Sequence, residues 1–459
     1  MAQVEVVILA AGKGTRMRSA QPKVLQPLAG KPLLHHVLHT AQQVADQGPI
    51  HLVVGHEAEL LQASLASAPD LVWHYQQPQR GTGDALRCAL PGLAKEGRVL
   101  VLYGDVPLLQ AQTLQAFLQH VPDDCVGLCS GELPNPAGYG RILRQEDGTV
   151  AGIQEERDCT PREREIREVN LGIMVLPAIR LENWLESLAP NNAQGEYYLT
   201  DLVSLAAQDG IKTIAYRLGD PREALGVNDA EQLSQAERLF QARQIRILQQ
   251  AGLRCADPAR VDLRGSLEFG PDCYLEPNVI LEGRIELGAR VRIGAGAILR
   301  DACIGNDVEI LPYSLLEGCK IDHDARIGPF ARIRPGSEIG ANAHVGNFVE
   351  TKKLRLGAGS KANHLSYLGD AEIGAQVNIG AGVITCNYDG VQKHKTEIED
   401  GVFVGSDTQL VAPVRVGAGA TIGAGSTITR DVPAGGLTLS RSPQKSIPHW
   451  HGPRQANKG

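Results

Sequence analysis

From Ile321 onward, a branched aliphatic residue returns at every sixth position. Ile321, Ile327, Ile333, Ile339 and Val345 form one unbroken register, and Val404, Leu410, Val416, Ile422 and Ile428 form another. Ile373 and Ile379 continue the pattern between them. Most are followed by glycine. An aliphatic period of six among small residues specifies a hexapeptide parallel β-helix. Each short strand forms one face of a triangular prism, and the aliphatics stack into a narrow internal core. Composition agrees, because 51 glycines suit sharp corners while an aromatic content of 4% would fill an ordinary large core poorly. The period breaks at residues 351–361 and again at residues 387–400. Both breaks are expected to be insertions that project as loops, where function tends to sit.

The chain up to about Asn228 follows a different pattern. Residues 50–54, 71–75, 98–102 and 125–129 are apolar, β-rich runs, mostly separated by amphipathic segments. They predict an α/β domain with a mostly parallel, Rossmann-like sheet flanked by helices. From Asp229 to Gly252, Leu233, Ala236, Phe240, Ile247 and Ala251 fall on one stripe, with Asp229 placed to cap the start and Gly252 to end it. This reads as a rigid helical connector. A chain of 459 residues exceeds one compact core, so the expected domains are 1–228, the linker 229–252 and 253–459.

The first apolar run, Val4 to Ile8, leads into Leu9-Ala10-Ala11-Gly12-Lys13-Gly14-Thr15-Arg16-Met17, and Pro22-Lys23 follow. A glycine-rich turn at a strand's carboxyl end is where open α/β sheets bind nucleotides. Gly12 and Gly14 let backbone amides approach phosphate, and Lys13, Arg16 and Lys23 add positive charge. The spacing is neither a Walker A loop nor a dinucleotide fingerprint. A tight turn without ligand fits the segment alone, but the stretch resembles the signature loop of the sugar-nucleotide pyrophosphorylases. In that chemistry a sugar phosphate oxygen attacks the α-phosphorus of a nucleoside triphosphate. The attacking group is already an anion, so charge neutralisation and alignment supply most of the catalysis. Asp105, in Tyr103-Gly104-Asp105 after the run 98–102, is placed either to hold Mg²⁺ or to act as a turn or cap aspartate.

Nearly the whole chain, to about Arg441, resembles the bifunctional bacterial enzymes that make UDP-N-acetylglucosamine. The resemblance implies acetyl transfer from acetyl-CoA to glucosamine 1-phosphate. Mg²⁺-dependent uridylyl transfer from UTP to N-acetylglucosamine 1-phosphate then releases pyrophosphate. It implies that Leu9, Ala10, Ala11, Gly12 and Lys23 contact the nucleotide, that Gln76 with Gly81 and Thr82 reads the uracil, and that Tyr103 and Gly104 border the same site. Gly140, Glu155 and Asn170 would hold the sugar, Asn228 would join Asp105 on the metal, and Arg16 and Lys23 would stabilise phosphate charge. One departure is Asp84, where this family usually carries histidine.

In the second half, acetyl transfer to an amine needs a proton acceptor, and histidine titrates ordinarily near 6.5. His364 lies in Lys361-Ala362-Asn363-His364-Leu365-Ser366-Tyr367, just after the first break. By resemblance it is the general base, with Arg334, Lys352, Tyr367 and Asn378 positioning the sugar phosphate. Ala381, Asn387, Tyr388, Ser406, Ala424 and Arg441 match acetyl-CoA contacts, and Lys393 and Lys395 could reach a ligand from the second projecting loop. Cys386 offers a rival route through an acyl-cysteine intermediate. Direct attack on the thioester needs no such step.

A net charge of −7 without a long basic run argues against nucleic acid or an anionic membrane as the main partner. The start reads as a strand rather than a leader, and no apolar run reaches membrane length. The nine cysteines are odd in number and lack paired metal spacing. A cytoplasmic protein with reduced thiols is expected. By analogy with acyltransferases of the prism type, the assembly is expected to be a homotrimer and the helix left-handed. Two other readings remain. One is a nucleotidyltransferase whose β-helix only oligomerises, and the other is a non-catalytic solenoid. His364 and the break at 387–400 favour the bifunctional reading over the first, and the glycine-rich turn favours it over the second.

Overall fold

A computed structural model describes residues 3–45, 48–55, 57–66 and 71–450. The chain divides into two units, Met1–Phe240 and Gln241–Gly459. In the first, a sheet runs in the order Thr213–Arg217, Val126–Glu132, Glu168–Pro177, Arg98–Tyr103, Val4–Ala10, Ile50–Val54 and Leu71–Tyr75. Neighbours are parallel except at Glu168–Pro177, which is antiparallel to both strands beside it. A hairpin of Arg141–Arg144 and Val150–Gln154 extends from that strand.

Val4–Ala10 is buried along its whole length, as a central strand covered on both faces must be. Val6 and Ile8 pack with Leu34, Val37, Leu114 and Phe117 on one face, whereas Val7 and Leu9 pack with Leu86, Leu181 and Leu202 on the other. Chain order reverses across Val4–Ala10, so its carboxyl end and that of Arg98–Tyr103 border the switch-point crevice.

One internal feature of this unit makes its stability depend on pH. His51 is fully buried in Ile50–Val54, its Nδ1 lies 2.9 Å from His74 Nε2, and its own Nε2 has no partner among the described residues. Burial, with the His74 imidazole second, lowers the His51 pKa to about 4. The unfolded chain therefore binds a proton at His51 before the folded one does. The associated stability is complete above about pH 6.5 and is lost as pH falls towards 4, by at most about 3 kcal/mol. Thermal melts of the wild type and of His51→Gln across that window should show a steeper loss for the wild type. Parallel slopes would refute the assignment.

In the second unit parallel strands stack coil on coil, with partners 17 or 18 residues apart. This is the left-handed parallel β-helix of hexapeptide proteins. All twelve aliphatics of the six-residue register point inward, each 3% exposed or less.

Of the two expected projecting insertions, only the second is present. Residues 351–361 are not a projecting insertion. The coil there is one residue short, so the period slips without adding chain, and Glu350–Leu356 continues the wall. Thr351 is fully buried and its hydroxyl donates to Ser337 Oγ at 3.1 Å. The second break is a true insertion. Partners across it lie 25 residues apart, and Tyr388 and Lys393 pair antiparallel in the protruding hairpin.

The helix Ala230–Gln250 is capped by the Asp229 carboxylate, which accepts from Gln232 N at 2.8 Å, and Gly252 follows it at φ 109°. Its predicted apolar stripe is only half right. Ala236 packs with Leu28, Leu33, Leu108 and Val227, but Ile247 and Ala251 are exposed. The inward residues of the second half are Gln241, Ile245 and Leu248, because that half packs against β-helix residues instead of continuing the earlier stripe.

Candidate active sites

In the first unit the glycine-rich turn is shaped by a close approach. Gly14 has φ 58°, and a Cβ there would stand 2.6 Å from Lys23 Cβ. This glycine therefore lets Lys23 fold back under the turn. Apart from its own chain neighbours, no described residue comes within 4 Å of where a Gly12 Cβ would be, so that position is open for a ligand.

Lys23 Nζ is ion-paired with Asp105 and donates to Asn228 Oδ1 at 3.1 Å, and Arg16 Nη2 donates to the same oxygen at 2.9 Å. Four residues from three stretches of the chain thus meet at the switch point. Gly104 N donates to Leu9 O at 3.0 Å, tying the two strand ends together, and Val227 N donates to the Asp105 carbonyl at 2.9 Å. The Asp105 carboxylate and the Asn228 carbonyl oxygen already share one cationic nitrogen, which is the donor set a hard divalent cation takes alongside phosphate oxygens.

Two further groups surround this cluster. Gln76 follows the strand Leu71–Tyr75 and donates to the Gly81 carbonyl and to Asp84. Thr82 accepts from Leu199 N at 3.1 Å and also bonds the Tyr103 hydroxyl. Burial, followed by the Glu155 and Asp105 charges, pushes that hydroxyl's pKa far above the ordinary tyrosine value. Gly140 and Asn170 are joined through the Gly140 carbonyl, which accepts from Asn170 N at 2.8 Å. Glu155 accepts from Thr200 Oγ1 at 2.9 Å, and burial raises its pKa despite that bond. A Cβ at Gly140 would stand 3.5 Å from Glu155 Oε1, which places these residues side by side.

In the second unit, His364 and Asn347 are register partners on successive coils, and His364 Nδ1 lies 2.7 Å from Asn347 Oδ1. Oxygen can only accept, so Nδ1 carries the hydrogen and Nε2 keeps its lone pair. Arg334 Nη1 donates to Glu350 Oε1 at 2.8 Å, and Glu350 is in register with Tyr367. The neighbouring Lys352 ammonium lowers the pKa of Lys393 in the hairpin. Two cations in contact are suited to receive a phosphate dianion. Lys395, by contrast, pairs with Glu372 at 2.6 Å.

Ala381, Ser406 and Ala424 occupy equivalent places on successive coils, linked by Asp407 N to Ala381 O and Gly425 N to Ser406 O. Arg441 Nη1 donates to the Ala424 carbonyl at 2.8 Å. Asn387 is buried and bonds Asp370, whereas Tyr388 is exposed on the hairpin. Asn378 follows Lys361 in register on the next coil. Sequence reasoning missed Asn347 and Glu350. Each partner pair is about one coil apart, so the 17-to-18-residue repeat was the signal that could have found them.

A nucleotide-binding sheet joined to a hexapeptide prism, each carrying a polar cluster, defines a two-site transferase. Residues 6–165 match the MobA-like NTP transferase domain, and residues 318–353 and 395–430 match the bacterial transferase hexapeptide repeat. Bifunctional protein GlmU from two strains of Acidithiobacillus ferrooxidans is 61% identical over 454 residues, covering 99% of each chain. Bifunctional protein GlmU from Alkalilimnicola ehrlichii is 52% identical over 452 residues, covering 98% of this chain and 97% of its own. A solved structure titled as a putative glucose-1-phosphate thymidylyltransferase from Bacillus anthracis overlays with a TM-score of 0.42 and 19% identity, over 51% of this chain and 94% of its own. The chain belongs to the GlmU family of bifunctional enzymes. It is a transferase with both acetyltransferase and uridyltransferase activities. No helix among the described residues is long and apolar enough to cross a membrane.

Proposed function

We propose that the two activities reside in the two polar clusters. The cluster of the first unit performs uridylyl transfer. An oxygen of the phosphate of N-acetylglucosamine 1-phosphate forms a bond to the α-phosphorus of UTP, and the bond to the β-phosphate oxygen breaks, releasing pyrophosphate. Arg16 and Lys23 supply positive charge, and the open space at Gly12 admits the triphosphate. Asp105 and Asn228 would hold Mg²⁺, which when bound neutralises charge developing on the phosphates. Gly140, Glu155 and Asn170 hold the sugar.

The cluster of the second unit transfers acetyl from acetyl-CoA to glucosamine 1-phosphate. The amine forms a bond to the thioester carbonyl carbon, His364 Nε2 takes the amine proton, and the bond to sulfur breaks as the coenzyme thiol leaves. Lys352 and Lys393 receive the sugar phosphate, Arg334, Tyr367 and Asn378 orient it, and the small residues Ala381, Ser406 and Ala424 leave room for the pantetheine arm. The stacked, half-exposed rings of Tyr313, Phe330 and Phe348, with centroids 5.3 and 5.4 Å apart, form an apolar ridge on the prism. Such a ridge suits burial against another copy, in keeping with a homotrimer.

This reading is supported by the meeting of Arg16, Lys23, Asp105 and Asn228 in the first unit and by the Asn347 contact that orients His364 in the second. A sharp test concerns Cys386. Burial raises its pKa, so little of the thiolate needed for covalent catalysis is present. Cys386→Ala should release coenzyme thiol from acetyl-CoA and glucosamine 1-phosphate within about twofold of the wild-type rate. A loss of two orders of magnitude would show instead that acetyl passes through the cysteine.

A further inference from the structure

Gln76 is 3% exposed, and its side-chain Nε2 donates twice, to the Gly81 carbonyl at 2.9 Å and to Asp84 Oδ2 at 3.0 Å. A carbonyl and a carboxylate both accept, so the carboxamide is satisfied in one orientation only, with Oε1 turned away from them. No described residue donates to that Oε1, and it is not sealed from solvent.

Asp84 is itself fixed. Its side chain is 4% exposed, with Arg80 Nη2 at 3.1 Å and Arg87 Nη1 at 3.8 Å. Both guanidinium groups stand over the Tyr197 ring, at 5.7 and 4.8 Å from its centroid. The Tyr197 backbone closes the arrangement, donating to the Arg80 carbonyl and accepting from Gly83 N, each at 2.8 Å. The helix Thr82–Ala89 and the residue 197 segment thus brace a single carboxylate against the Gln76 amide.

We propose that Asp84 is a positioning residue that sets nucleobase choice, by holding the Gln76 carbonyl oxygen towards the base. This rests on the reading of Gln76 as the base contact. An outward carbonyl oxygen accepts from a pyrimidine whose N3 carries hydrogen, as in uracil. Cytosine presents a lone pair at N3, and two lone pairs then face each other. Turning the amide to serve cytosine would point Oε1 at two acceptors, Asp84 and the Gly81 carbonyl. The acceptor-only character of Asp84 is therefore what matters. Asparagine, which both donates and accepts, would remove one of the two groups that oppose the turned amide and leave only the Gly81 carbonyl.

The test measures kcat/KM for UTP and for CTP, by pyrophosphate release with N-acetylglucosamine 1-phosphate, in the full-length wild type, Asp84→Asn and Asp84→Ala. Thermal melts of the same preparations, followed by circular dichroism, report folding. The wild type should prefer UTP. The UTP-to-CTP ratio should fall about tenfold or more in Asp84→Ala and about threefold or more in Asp84→Asn, with KM moving more than kcat and acetyl transfer unchanged. A ratio within twofold of wild type in both variants would overturn the assignment. A wild type indifferent to the two nucleotides would remove the base-contact reading, and the assignment with it.

Discussion

Replacing His364 with alanine is expected to lower acetyl transfer from acetyl-CoA to glucosamine 1-phosphate by about 10²- to 10⁴-fold, the range that a positioned general base supplies. The geometry gives the reason. Asn347 Oδ1, 2.7 Å from Nδ1, fixes the tautomer and leaves Nε2 as the only basic ring atom. The substrate nitrogen becomes a nucleophile only after losing its ammonium proton, and the attack generates a second proton to be removed. Without the imidazole, both fall to water. The residual rate of His364→Ala should therefore climb with pH as the amine deprotonates unaided. Pyrophosphate release from UTP should be untouched, since none of the residues assigned to it lies in the second unit. A variant retaining more than a tenth of wild-type acetyl transfer would show that another group takes the proton.

The converse substitution, Asp105→Ala, is expected to lower UTP-dependent pyrophosphate release by about 10²- to 10³-fold, the scale of removing one preorganised contact to a charge-bearing transition state. Asp105 shares Lys23 with Asn228, so its removal takes away a carboxylate and also loosens a cation that the phosphates need. Asp105→Asn separates these effects. It retains an oxygen but not its charge, and should raise the Mg²⁺ concentration needed for half-maximal rate. Unchanged Mg²⁺ dependence, with only kcat reduced, would assign Asp105 to holding Lys23 alone. Acetyl transfer should remain intact in both variants.

Much of the prism was legible because its interior imposes one requirement on every sixth residue, and each aliphatic from Ile321 to Ile428 in that register is indeed buried. The failure at residues 351–361 has the same origin. A coil of 17 residues breaks the period as visibly as an insertion does, and sequence periodicity reports the slip without its sign. The strands at 50–54 and 71–75 were legible as apolar runs. The reversal at Glu168–Pro177 was not, because strand direction depends on connections and not on composition. Pairings in the candidate sites were also hidden. Arg16 and Asn228 lie 212 residues apart, and no local rule joins them. Asp84 stood out as a departure from the family pattern, but its grip on Gln76 is a fact of three dimensions.

One chain carrying two independent reaction centres should allow two variants, each crippled in a different centre, to complement one another in a mixture. Glucosamine 1-phosphate, acetyl-CoA, UTP and Mg²⁺ are supplied together, and the formation of UDP-N-acetylglucosamine is followed. His364→Ala and Asp105→Ala should each be nearly silent alone, whereas an equimolar mixture should restore the product, because the acetylated sugar phosphate passes through solution from one protein to the other. A mixture as silent as its components would contradict the claim.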